Sequence, residues 1–275
     1  MHTSTPLPTI RLLDGNAIPQ IGLGVYQASD EEAAAAVVCA FEAGYRHVDT
    51  ARIYKNECGV GIGVRDSTVP REEVFLTSKI WNDDIRAGTT AQALAGSLER
   101  LGVDQVDMML LHWPADGRVD AWQALIEARE AGLVRMIGVS NFLPEHLDEL
   151  VSETGVVPVV NQIEHHPLLT QPAIREACAR HDIAIEAWSP LMRGRFGEEA
   201  VIDDIARTHG RSEAQILLRW ALQKDVIVIP KSIKPERIRE NCSILDFTLD
   251  ADEMTRMDSL DRAERIGPDP ATFDF

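Results

Sequence analysis

VDMMLLHWP, residues 106–114, is a short apolar run that stops on a histidine. The same design recurs upstream: EEVFLTSK at 72–79 stops on a lysine, and YRHVDTARIY at 45–54 passes from an apolar run through Asp49 to Tyr54. If these runs are parallel strands of one barrel, their carboxyl ends converge on one mouth. Asp49, Tyr54, Lys79 and His112 then become neighbours in space, and four such groups together make a candidate proton-transfer site.

Outward from these runs, the chain alternates strand-like and helix-like segments, the signature of parallel βα units. Candidate strands lie at 21–25, 46–49, 74–78, 106–112, 135–140, 159–164, 183–189 and 226–230. Helical segments fall at 30–43, 56–64, 89–101, 119–131, 144–151, 171–181, 212–223 and 235–241. Asp30 with Glu31 and Glu32 reads as a helix start, Gly44 and Gly132 as stops, and Pro172 suits a first turn. Eight alternations predict an α/β chain folded as a (β/α)8 TIM barrel, whose usual size is about 250 residues. A doubly wound sheet is the competitor, but GLGVYQ at 22–27 lacks the third glycine of the dinucleotide fingerprint. Ahead of the first strand, TIRLLDGNAIPQIG reads as an N-terminal β-hairpin around Asp14-Gly15-Asn16 that closes the barrel floor. No linker or repeat divides the chain, so residues 1–275 are expected to form one domain. Residues 190–211 read as an extra-long connection, which in a compact domain is more often functional than idle.

The 275 residues are ample for a well-buried core, and a net charge of −17 argues against nucleic-acid or anionic-membrane partners. No run approaches the ~20 apolar residues of a membrane span. The start MHTSTPLPTIRLL lacks the regions of a signal peptide, so a cytoplasmic protein is expected. Cys39, Cys58, Cys178 and Cys242 have no CxxC spacing and read as reduced thiols. His47, His165, His166 and His181 have no metal-ligand spacing, so no metal is expected.

The segments GYRHVDTARIY, LTSKIW, LLHWP, GLVRMIGVSNF, VVNQIEHHP, EAWSPL and VIPKSIKPERIREN resemble, in order and across nearly the whole chain, the successive signatures of the aldo-keto reductase family. Within it, the short length resembles the bacterial 2,5-diketo-D-gluconate reductases. The resemblance implies NADPH-dependent reduction of a small-molecule carbonyl by a monomer. It also implies a catalytic tetrad. Reducing a carbonyl requires a proton donor near neutral pH, and a free tyrosine with a pKa near 10 is a poor one. Tyr54 is the expected donor, with Lys79 lowering its pKa and Asp49 anchoring the lysine. His112 would orient the carbonyl and stabilise its developing charge.

The resemblance further implies that Ser140, Asn141 and Gln162 hydrogen-bond a nicotinamide carboxamide. Trp188, where many relatives carry tyrosine, would stack on the ring. Ser189, Leu191 and the MRGRFG loop would approach the pyrophosphate, and Glu240 and Asn241 the adenine. Lys231, Ser232 and Arg237 are a basic cluster in an acidic chain, suited to a phosphate and so to NADPH rather than NADH. Tyr26, Trp81 and Trp113, together with His112, are expected to line the substrate pocket. Arg52 departs from relatives, which often carry a small or apolar residue there; it would either bind a substrate carboxylate or point to solvent. Two alternatives stay open: a barrel enzyme forming a Schiff base on Lys79, and a non-enzymatic NADPH-binding regulatory protein.

Overall fold

The computed structural model describes residues 7–273. Two short strands, β1 (Thr9–Arg11) and β2 (Ala17–Pro19), pair antiparallel with Ile10 opposite Ile18. Asp14 Oδ1 accepts the Asn16 amide at 3.0 Å, and Gly15 takes a φ of +86°, so the Asp-Gly-Asn turn forms where the sequence placed it.

Eight parallel strands follow: β3 (Leu23–Gly24), β4 (His47–Asp49), β5 (Phe75–Ile80), β6 (Val106–Leu111), β7 (Val134–Ser140), β8 (Val160–Glu164), β9 (Ala184–Trp188) and β10 (Ile227–Val228). Each pairs with the next in chain order. Single parallel bridges from Ile21 to Val228 and from Gly24 to Lys231 join the first strand to the last and close the ring. The Gly22 amide donates to the Val228 carbonyl at 2.8 Å and the Val228 amide to the Gln20 carbonyl at 2.9 Å across that seam. This is the expected (β/α)8 barrel with its N-terminal hairpin.

Alternation along the strands divides the apolar residues between two cores. Inward-facing Phe75, Met108, Leu110, Met136, Val160 and Ile227 fill the lower barrel, and Leu12 and Ile18 of the hairpin pack against them as the floor. Outward-facing residues such as Leu76, Met109, Ile137, Ile163 and Ala187 pack under the surrounding helices. The upper interior is polar, and there the site is built.

All eight expected helices form, the first as Asp30–Glu42 behind a capping box in which Ser29 Oγ accepts the Glu32 amide and Glu32 accepts the Ser29 amide. The 190–211 connection is not one long loop. It holds a 3-10 segment, Met192–Glu198, and an α-helix, Ala200–His209, whose Ile202, Ile205 and Ala206 are buried. Helices Asn82–Arg86 and Ala251–Asp258 were also not expected. The four cysteines are free.

Candidate active site

The β4–β5 register sets Asp49 opposite Thr77, so Lys79, two residues further along β5, points to the same inner face one step higher. Its ammonium donates to Asp49 Oδ1 at 2.5 Å and to the Thr50 carbonyl at 2.9 Å. Lys79 is 0% exposed, so its charge is sustained by protein partners and not by solvent. Tyr54 is carried on a single 3-10 turn, Arg52–Tyr54, ended by Lys55 in the left-handed region at φ +58°. Buried Asn56 fixes this turn: its Oδ1 accepts from Thr50 Oγ1 at 2.8 Å, and its Nδ2 donates to the Val25 and Ala28 carbonyls. The Lys79 ammonium stands 5.1 Å from the centre of the Tyr54 ring. His112 follows β6, its amide bound to the Ile80 carbonyl at 3.0 Å, and its ring meets Tyr54 edge-on at 5.7 Å between centroids. Three strand ends thus bring Asp49, Tyr54, Lys79 and His112 into one cluster.

Burial holds the Tyr54 phenol up at about 12, and the Lys79 cation opposes that shift without cancelling it. The expected lowering of Tyr54 is therefore present as a direction of force but is outweighed in this state by desolvation. For Lys79, burial works to lower the pKa, but Asp49, Tyr54 and Glu186 outweigh it and the net shift is upward. Burial, with Lys79 adding, drives His112 well below its ordinary value, leaving a neutral imidazole. A neutral ring can donate one hydrogen bond to a carbonyl oxygen while Lys79 keeps the positive charge.

Asp49, Tyr54 and His112 line a cavity of about 720 Å³ together with Ser140, Asn141, Gln162, Trp188, Ser189, Leu191 and Lys231, and Tyr26, Trp81 and Trp113 line it too. Trp188 donates its indole N–H to Asn141 Oδ1 at 2.8 Å, and Asn141 Nδ2 donates to the His112 carbonyl, so the expected stacking surface is tied to the tetrad strand. Gln162 spends its amide hydrogens on Asp49 Oδ2 and Glu186 Oε2, which leaves the amide oxygen to accept from a ligand. Ser189 and Arg193 hold φ near +52°, in a region non-glycine residues rarely adopt, where the loop bends over the cavity. These groups fit a nicotinamide: a flat ring to stack on, and both donors and acceptors beside it.

Beyond β10, Lys231 and Arg237 are exposed and form no ion pair among the described residues, whereas Ser232 and Asn241 are buried and Glu240 is half-buried. Ser232 Oγ accepts the Lys234 amide at 3.1 Å. Of this group Lys231 alone lines the cavity; the others extend outward along helix Pro235–Cys242. Arg52 does not face the cavity. It pairs with Asp84, which accounts for an arginine at this position without a substrate. Sequence reading missed Phe273, which stacks on Trp113 at 3.9 Å, together with Pro268 and Ile53 on the cavity wall. The C-terminal segment is held there by Glu164, whose carboxylate accepts the Ile266 and Gly267 amides. A tail residue far in sequence from any strand end carries no periodic signal. Among the described residues no cluster suits a metal ion and no helix is long and apolar enough to cross a membrane.

Comparison with known proteins places the chain. It is 49% identical over 98% of its length to an aldo-keto reductase of Mycolicibacterium smegmatis, with 98% of that protein covered. It is 48% identical to the methylglyoxal reductase DkgA of Escherichia coli K12, over 96% of this chain and 97% of that one. The crystal structure of a mutant of Gox0644 in complex with NADPH superposes with a TM-score of 0.93 at 44% identity, covering 98% of this chain and all of the other. The model of the aldo/keto reductase family matches residues 20–262, and the chain belongs to that family of NADP(H)-dependent oxidoreductases acting on carbonyl groups.

Proposed function

We propose that this chain uses NADPH to reduce small carbonyl compounds, short dicarbonyls foremost and keto-sugar acids such as 2,5-diketo-D-gluconate second, with Tyr54 as proton donor. One observation carries the reading: the fully buried Lys79 ammonium lies between Asp49 and the face of Tyr54, directly under a cavity that Tyr54 and His112 both line. When bound, the nicotinamide supplies the hydride. The chain's own groups do the rest. The neutral His112 ring donates to the carbonyl oxygen and orients it, and the Tyr54 hydroxyl gives that oxygen its proton. The phenolate left behind faces the Lys79 cation, and Asp49 keeps the cation in place.

The same geometry disfavours a Schiff base on Lys79, because an amine held charged by a carboxylate has no lone pair to attack a carbonyl. The substrate preference follows from the walls. Tyr26, Trp81, Trp113, Phe273 and Ile53 are apolar or aromatic, and Arg52, the expected carboxylate partner, is turned to Asp84. Methylglyoxal and glyoxal are therefore expected to show higher kcat/KM than 2,5-diketo-D-gluconate in an NADPH oxidation assay. Tyr54→Phe should lower kcat roughly 10²- to 10⁴-fold while NADPH still quenches intrinsic fluorescence. Near-normal turnover by Tyr54→Phe removes the tyrosine from the mechanism, and binding of NADPH without turnover on any carbonyl leaves a regulatory protein.

A further inference from the structure

Below the tetrad lies a second polar layer that the proposed chemistry does not use. Glu186, on β9, is 0% exposed inside the barrel. Its Oε2 accepts from Gln162 Nε2 at 2.8 Å, and the same nitrogen donates to Asp49 Oδ2 at 2.9 Å. One amide thus bridges two carboxyl groups, and the other oxygen of Asp49 holds Lys79. Glu186 Oε1 receives no hydrogen bond from the described residues and faces His47 Nε2 at 3.6 Å, while that nitrogen sits 3.2 Å from Thr77 Oγ1.

An ionised Glu186 in this place would have one neutral donor and a second carboxylate just beyond it, a costly arrangement for a buried charge. A carboxylic acid needs only an acceptor for its hydroxyl, and a neutral imidazole is one. We propose that Glu186 is a positioning residue: a neutral carboxylic acid, its hydroxyl directed at His47, that grips Gln162 from below and thereby fixes Asp49 and Lys79 under Tyr54.

The surrounding groups agree. Those facing Glu186 are His47 and Asp49 from β4, Thr77 and Lys79 from β5 and Gln162 from β8; β10, paired with β9 at this level, brings Ile227 and no titratable group. Burial, reinforced by Asp49 and opposed by Gln162 and Lys79, raises Glu186 to about 8. Burial lowers His47 to about 3, so the ring is a neutral acceptor across the working range. Tyr54 lies near 12, Lys79 is raised and His112 is well below 6.5, so an inflection near pH 8 belongs to none of these three. As the pH rises through about 8, Glu186 loses its proton and a second negative charge appears beside the Asp49–Lys79 pair. That charge opposes phenolate formation on Tyr54 and draws the Gln162 amide towards Glu186 at the expense of Asp49, so kcat falls.

The inference rests on the tetrad reading above, and its test separates the two. In the full chain with NADPH, kcat should fall in wild type across an inflection near pH 8, and Glu186→Gln, which cannot ionise, should abolish that inflection. Glu186→Ala, which releases Gln162, should lower kcat roughly ten- to a hundred-fold and change the Kd for NADPH much less. Infrared spectroscopy supplies a readout independent of turnover: a carboxylic-acid carbonyl band present near neutral pH, absent in Glu186→Gln, and lost from wild type as the pH passes about 8. Superposable kcat profiles for wild type and Glu186→Gln, or no acid band near neutrality, overturn the proposal. A chain with the band and no turnover keeps the neutral Glu186 and refutes the tetrad instead.

Discussion

Lys231 and Arg237 stand out in a chain of net charge −17 because neither has a carboxylate partner among the described residues, although acidic side chains are abundant. Unpaired cations, one on the cavity wall and one on the helix beyond it, are available to a phosphate, lysine as a point charge and arginine as a fork. Lys231→Ala and Arg237→Ala should each weaken NADPH binding by roughly ten-fold or more, the worth of a charge-assisted hydrogen bond, and leave NADH nearly unaffected. Fluorescence titration with both cofactors checks this, and equal losses would remove the phosphate role. Both cations were legible in the sequence because they fall in one basic segment just after the last apolar run of an acidic chain. So were Asp49, Lys79 and His112, which end apolar runs. Glu186, His47 and Asn56 were not. The first two sit inside strands, where an inward polar residue looks like a break in the apolar pattern, and the third acts by holding backbone carbonyls that sequence does not show.

At the scale of elements, the helix Glu57–Asp66 bears directly on the site because it begins three residues after Tyr54, which ends the 3-10 turn. Its glycines are set by close approach to neighbours. A Cβ on Gly59 would lie 2.1 Å from the Asp30 carbonyl oxygen, and one on Gly61 would lie 2.2 Å from that of Leu101. The helix is also pinned by its buried Glu57, which accepts from Ser78 Oγ at 2.5 Å and Arg100 Nε at 2.7 Å. Gly61→Ala should therefore destabilise the fold by about 1–3 kcal/mol, the usual cost of overpacking, outweighing alanine's better helix propensity. Urea denaturation tests it, and an unchanged or raised midpoint would show that the helix has room to shift. The other helices were largely visible from caps and periodicity. Ala200–His209 was hidden because no side chain caps its start at Glu199 and the preceding RGRFG reads as loop. Ala251–Asp258 carried a readable signal, the capping box between Asp250 and Glu253, that lay past the last expected barrel unit.

Over the whole molecule, the fold class was legible because eight runs and eight helices alternate, whereas the filling of the barrel was not. Its histidines make the stability sensitive to acid. His47 and His165 are buried, and burial lowers each to about 3. The unfolded chain takes up a proton on each near 6.5 and the folded one only near 3, so their neutral burial is fully tolerated above pH 6.5 and destabilises increasingly as the pH falls from there towards 3. Each contributes about 1.4 kcal/mol per pH unit across that window. His165 stacks on Trp220 at 5.1 Å and neither ring nitrogen has a hydrogen-bond partner among the described residues. His165→Phe should keep the stack and flatten the slope of stability against pH between about 4 and 6 by one proton's worth. Denaturant midpoints across that range measure it, and an unaltered slope would mean that His165 is protonated in the native chain.

The seam between the first and last barrel strands has a consequence in time. Gly24 and Lys231, both on the cavity wall, meet across a bridge between segments on the order of two hundred residues apart, and such distant pairings are slow to form. During synthesis the tetrad strands emerge early, yet the pocket lacks a wall until β10 leaves the ribosome and inserts beside β3. A nascent chain halted before residue 227 would hold the four catalytic candidates and still have no complete place for a cofactor.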